Sequence, residues 1–168
     1  LHADNQLSAN YGLPFRVPML KIRDKYDNKI VENYQIMRQL TYKQIPPELF
    51  DEEKTLNYLI CYSGGHPRDL LRLLNVAINF TDEELIDIAA AKKAVKQLAN
   101  EYRRFINSSD YAKLVEIDKN PETPDDFTDE ESSKMLYNLL LLEYNDYFWK
   151  SHPVITTLPG YQKILQES

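Results

Sequence analysis

Residues 62–74 read Tyr62-Ser63-Gly64-Gly65-His66-Pro67-Arg68-Asp69-Leu70-Leu71-Arg72-Leu73-Leu74, and two helices meet in them. The glycine pair suits a left-handed C-terminal cap, which closes the helix before it. Pro67 at a first helical position and Asp69 in the first turn are both helix-start signals. Leu70, Leu71, Leu73, Leu74, Ala77 and Ile78 then give the second helix a broad apolar face, so it is expected to be largely buried. A helix start also attracts anions through its free amides and its dipole. Arg68 adds a guanidinium fork that matches a phosphate, with His66 just outside. The same residues fit a turn between two packed helices with Arg68 resting on an acidic neighbour, and residue physics alone leaves both readings open.

Upstream, Pro14 to Ile22 carries Phe15, Val17 and Met19 in near alternation, which predicts a strand, with Pro18 confining it to an edge. Asp24 to Lys29 is a polar turn. Val31, Tyr34, Ile36, Met37 and Leu40 recur at spacings of three and four, as in an amphipathic helix that Pro46-Pro47 stops. Asp51 is placed to cap a helix with Leu56, Leu59 and Ile60 inward.

Downstream, Thr81-x-x-Glu84 and Thr128-x-x-Glu131 have the form of capping boxes. The first is expected to open a long helix with Leu85, Ile86, Ile88, Val95, Leu98, Tyr102 and Phe105 inward. The second is expected to open a helix through Met135, Leu136, Leu139, Leu140 and Leu142, after a shorter helix from Asp110 to about Lys119. Asn145-Asp146 then fits either a small hairpin between Leu141 to Tyr144 and Tyr147 to Lys150 or a helix that frays. Helices in the middle with strands only at the ends predict a mostly α architecture.

The 168 residues are 43% apolar and 27% charged, near globular averages, which argues against wholesale disorder. The longest aliphatic stretch, Leu139 to Leu142, is far below the ~20 residues of a spanning helix. No signal peptide is evident, so a cytoplasmic protein with no membrane partner is expected. The lone Cys61 excludes an internal disulfide or a cysteine-based zinc cluster within this chain. The chain opens on Leu1 rather than Met, as expected of part of a longer protein.

Formal net charge is −6. That disfavours a dedicated nucleic-acid binder, because phosphate neutralisation supplies much of such affinity. Residues 116–131 hold eight carboxylates against Lys119, leaving the rest at +1, while Lys92, Lys93, Lys96, Arg103 and Arg104 cluster against Glu101. Either run reads as a solvated face or as a binding surface.

Gly12, Gly64, Gly65 and Gly160 lack the spacing of a phosphate-binding loop. His2, His66 and His152 make no metal pattern and are expected in ordinary surface or loop positions. Ser63 beside His66 has neither an orienting acid nor a nucleophile elbow. Neither a hydrolase activity nor a bound metal is therefore expected of this chain alone.

Ser63-Gly64-Gly65-His66-Pro67-Arg68-Asp69-Leu70-Leu71-Arg72-Leu73-Leu74 resembles the sensor-2 segment in the helical lid of AAA+ type P-loop ATPases, with their G-G-x-P-R-x-L-x-x-L pattern. The resemblance covers roughly residues 14–105, and beyond it such proteins often carry a winged-helix-like domain. It implies three parts: the end of a nucleotide-binding core (1–30), a helical lid (31–107), and a small winged-helix-like α/β domain (108–168). By the same resemblance, Arg68 with His66 and Gly65 would meet the nucleotide, Arg68 at the γ-phosphate. ATP with Mg would be the cofactor of the parent protein, not of this fragment, and the first partner an upstream nucleotide-binding core. The resemblance also admits a homo-oligomer. The chain departs from the family in having no Walker A sequence and no Walker B or sensor-1 strand. Two competing readings are a winged-helix DNA-binding regulator, with the lysine-arginine cluster as its basic face, and a helical interaction module. The contact patch of that module would be Tyr137, Tyr144, Tyr147, Phe148 and Trp149.

Overall fold

A computed structural model describes residues 19–81, 84–121, 130–144 and 148–167. The described chain is mostly α-helical with one two-stranded antiparallel sheet. In order, the elements are α1 (Val31–Tyr42), α2 (Glu53–Tyr62), α3 (Pro67–Asn79), α4 (Ile88–Tyr102), α5 (Asp110–Lys119), α6 (Glu130–Tyr137), β1 (Leu141–Tyr144), β2 (Phe148–Ser151) and α7 (Pro159–Glu167), with short 3-10 turns between several of them. Among the described residues, no helix is long and apolar enough to cross a membrane.

α1 ends before Pro46-Pro47, burying Tyr34 and Met37 and leaving Val31 and Ile36 exposed. α2 buries Leu56, Leu59 and Ile60 as its spacing requires. Its cap differs from expectation: Asp51 Oδ1 accepts from Glu52 N, and Glu52 stands at the N-cap. On α3, Leu70, Leu73, Leu74 and Ala77 are buried, whereas Leu71 and Ile78 are exposed, so the apolar face is narrower than the sequence suggests.

α4 begins at Ile88, not near Thr81, and Asp87 caps it by accepting from Ala90 N at 2.7 Å. Thr81 Oγ1 instead donates back to Ala77 O. The physical reason lies in Ile86: its N–H donates to Leu49 O and its carbonyl accepts from Asp51 N, a β-type pairing that a helix through Leu85 and Ile86 would forfeit. At the far end, a 3-10 turn over Arg103–Phe105 swings Phe105 out, 55% exposed rather than inward. α3 and α4 run antiparallel, since Tyr102 near the end of α4 reaches Asp69 at the start of α3, while Lys93 lies over the ring of Phe80 just past the end of α3.

Of the strand expected over Pro14 to Ile22, residues 14–18 lie outside the described residues, and 19–22 form no strand. Leu20 N donates instead to Gly65 O, and Arg23 and Lys29 form an isolated bridge that closes the following turn. Thr128 also lies outside the described residues. α6 stops at Tyr137 instead of running to Leu142, because Leu139 takes a left-handed φ of 57°. The hairpin is the alternative realised, with Leu141 opposite Ser151 and Tyr144 opposite Phe148.

One apolar cluster runs from Ile22 and α1 through α2, α3 and α4 to Leu140, Leu141, Trp149 and Tyr161. Trp149 belongs to this cluster, while Tyr144 and Phe148 pack with Leu142 in a second, smaller one, so all three are buried and supply no contact patch. Tyr137 is exposed, and Tyr147 lies outside the described residues.

Candidate functional site: the start of helix α3

The turn between α2 and α3 requires its glycines. Gly64 and Gly65 have φ of +63° and +77°, values that L side chains rarely adopt. A Cβ on Gly65 would run into the carbonyl oxygen of Leu20, and one on Gly64 into Leu142 Cδ1. The polar groups of the turn are already used. Ser63 Oγ donates to Ile60 O and accepts from Gly65 N, Gly65 O accepts from Leu20 N, and Tyr144 OH donates to Gly64 O at 2.7 Å. Gly65 thus shapes the turn, with its own N–H engaged inside it.

α3 then opens at Pro67, and no side chain caps it. Asp69, fully buried, fixes this first turn from beneath. Its Oδ1 accepts from Arg72 Nη1 at 2.8 Å; its Oδ2 accepts from Tyr102 OH at 2.6 Å and from His152 Nε2 at 3.0 Å. His66 Nδ1 also stands 3.0 Å from Oδ2, in ion-pair reach but without an aligned hydrogen bond. Arg72 extends the network to Glu101 Oε2 at 2.5 Å.

His152 is fully buried, contrary to the surface or loop position expected of it. Val154 N donates to its Nδ1, so the proton of the neutral ring sits on Nε2 and is given to Asp69. Burial pushes the His152 pKa below the ordinary histidine value, against the pull of Asp69. Burial alone would raise Asp69, but His152, His66 and Tyr102 together hold its carboxyl well below the usual range. Burial and the bond to Asp69 raise the Tyr102 phenol. The stable arrangement is a buried carboxylate held by the neutral His152 ring, the Tyr102 phenol and one arginine. No signal in the chain order links His152 to Asp69, because they are 83 positions apart.

Arg68, the neighbour of this buried anchor, has an exposed side chain and no hydrogen-bond or ion-pair partner among the described residues. The structure therefore groups the three sequence-derived residues on one turn in different settings: Gly65 buried, His66 half-buried against Asp69, and Arg68 projecting outward.

A cleft of about 340 Å³ lies between the 23–27 turn, the end of α2, α5 and the hairpin. Most of its charged groups are engaged: Lys150 pairs with Asp27, Arg23 donates to Asp27 O and Cys61 Sγ, and Asp24 accepts from Tyr26 N and Asn28, which leaves Lys119 exposed at its edge. Asp118 is taken up by Ser151 N and Tyr161 OH. Such a cleft offers no convergent unsatisfied group to select a ligand. Among the described residues, no group of three or more His, Cys, Asp or Glu side chains is placed to hold a metal ion. Comparison with protein-family models, curated proteins and solved structures gives no match to this chain.

Proposed function

We propose that the chain is the C-terminal part of a P-loop ATPase of AAA+ type, supplying a helical lid and its sensor-2 arginine, followed by a winged-helix-like domain over 108–168. The observation that carries this reading is Arg68. It is an exposed guanidinium, unpaired among the described residues, on the first turn of an uncapped helix whose underside is locked by Asp69. A structural arginine would be paired, as its neighbour Arg72 is, between Asp69 and Glu101. The amides at the start of α3 and the guanidinium fit a phosphate, which both favour through charge and donor geometry.

ATP with Mg, when bound to the parent protein, supplies the phosphoryl group and its counter-charge. The metal would be held by the upstream core. This chain's part is to bring Arg68 against the phosphates as the lid closes and to stabilise charge that grows on the transferring group. The rigid base under Arg68 matters because charge stabilisation needs donors that are already in position.

In the full-length protein, Arg68→Ala is expected to lower kcat for ATP hydrolysis by at least roughly tenfold, with Arg68→Lys intermediate. The melting temperature should stay within about 2 °C, since exposed side chains contribute little to stability. Unchanged turnover in Arg68→Ala, or a large loss of stability, would remove the assignment.

A further inference from the structure

α4 and the 3-10 turn that continues it carry Lys92, Lys93, Lys96, Arg103 and Arg104, all exposed. By helical spacing these five fall within an arc of about 120°, opposite the buried row Ala91, Ala94, Val95 and Leu98. Between them lie only Ala89 and Asn100, with Gln97 just beyond the edge, so the arc contains no carboxylate. Of the acids at the ends of the helix, Glu101 is engaged with Arg72, Asp87 with Ala90 N, and Asp110 with Asn107 N. Lys93 lies over the Phe80 ring at 5.7 Å, and among the described residues Lys92, Lys96, Arg103 and Arg104 have no hydrogen-bond or ion-pair partner. A chain of net charge −6 thus gathers five cations on one face, and the unpartnered four carry the argument. Local potential, not net charge, governs what such a face attracts.

We propose that this face of α4 binds the phosphate backbone of duplex nucleic acid without reading its sequence. An interfacial membrane helix needs apolar residues beside its cations, and the arc has none larger than alanine. A protein interface needs a central aromatic or aliphatic anchor, whereas the exposed Phe105 lies past the end of the row. Amide side chains between lysines and arginines are the groups that contact phosphates. From Lys92 to Arg103 the row is about 16 Å long, enough to lie along roughly nine duplex charges. This departs from the expectation drawn from net charge, because the carboxylate-rich stretch 116–131 contributes no residue to α4. It is independent of the nucleotide reading, since Arg68 takes no part in it.

The test titrates the 168-residue chain into a fluorescent duplex of roughly 30 base pairs at salt between about 50 and 200 mM. With four to five phosphate contacts, the slope of log K against log salt should be about −3.6 to −4.5. Affinity should fall roughly 150- to 500-fold across that range. A duplex of unrelated sequence should bind equally. Lys92→Ala/Lys96→Ala/Arg103→Ala keeps helix-forming residues at exposed positions, so its thermal melt should match the parent while the slope shrinks by about 2.7. Lys92→Arg/Lys96→Arg should keep the parental slope. Absence of binding at the lowest salt, or an unchanged slope in the triple variant, would overturn the proposal. So would competition by poly-glutamate or anionic vesicles that equals the duplex charge for charge.

Discussion

Asp69 is the residue on which the candidate site depends. Four side chains from α3, α4, the α2–α3 turn and the segment after β2 converge on its carboxylate. Removing the carboxylate leaves His152 and part of Arg72 desolvated and unpaired, so Asp69→Ala is expected to cost about 3–5 kcal/mol. That corresponds to a drop in melting temperature of roughly 6–20 °C for a chain of this size; a calorimetric shift below about 2 °C would mean the network is not a structural anchor. The same network makes stability depend on pH with a definite sign. His152 has a lowered folded pKa, so its contribution is complete above the unfolded value of 6.5 and is lost as pH falls from there, because the unfolded imidazole takes up the proton first. Asp69 is also lowered, so its contribution is present above 3.8 and is lost as pH falls below it. The urea midpoint should therefore decline between about pH 7 and 5, and less steeply in His152→Gln, whose amide can donate to Asp69 without titrating. Equal slopes would show that His152 is not the titrating group. From the chain, Arg68 was legible as a candidate and Asp69 only as a helix-start residue. The buried carboxylate-histidine pair was not legible, since it depends on a contact between distant segments.

At the scale of elements, the helices whose ends are set by local chemistry were the readable ones. The Pro46-Pro47 stop, the Gly64-Gly65 turn and the Pro67 start act within a few residues, and the structure has all three. Gly65→Ala should accordingly lose stability by more than about 2 kcal/mol, combining the cost of a left-handed alanine with the encounter with Leu20 O. Equilibrium unfolding in urea measures it, and a neutral effect would contradict the role given to the turn. The elements misread were those where a nonlocal partner outcompeted a local signal. Thr81 and Glu84 have the form of a capping box, yet Ile86 pairs with the Leu49–Asp51 backbone and delays α4 to Asp87. Likewise Met135 to Leu142 has a helical apolar pattern, but the left-handed Leu139 and the ladder with β2 turn its second half into a strand.

Across the whole molecule, the mostly α class followed from periodicity, while the joining of the two ends of the chain did not. Residue 107 is the boundary that the resemblance implies; the apolar cluster extends across it, and so do the bonds from His152 to Asp69 and from Tyr144 to Gly64. Arg68 is thus carried on a turn braced from both sides, which is the property a phosphate-contacting lid residue needs. The most direct test of that central claim is amide hydrogen exchange in the full-length protein with and without a non-hydrolysable ATP analogue. Nucleotide should slow exchange at the Arg68 and Asp69 amides, and Arg68→Ala should abolish that protection while exchange in the core of α4 stays unchanged. Identical exchange at the start of α3 with and without nucleotide would contradict the account.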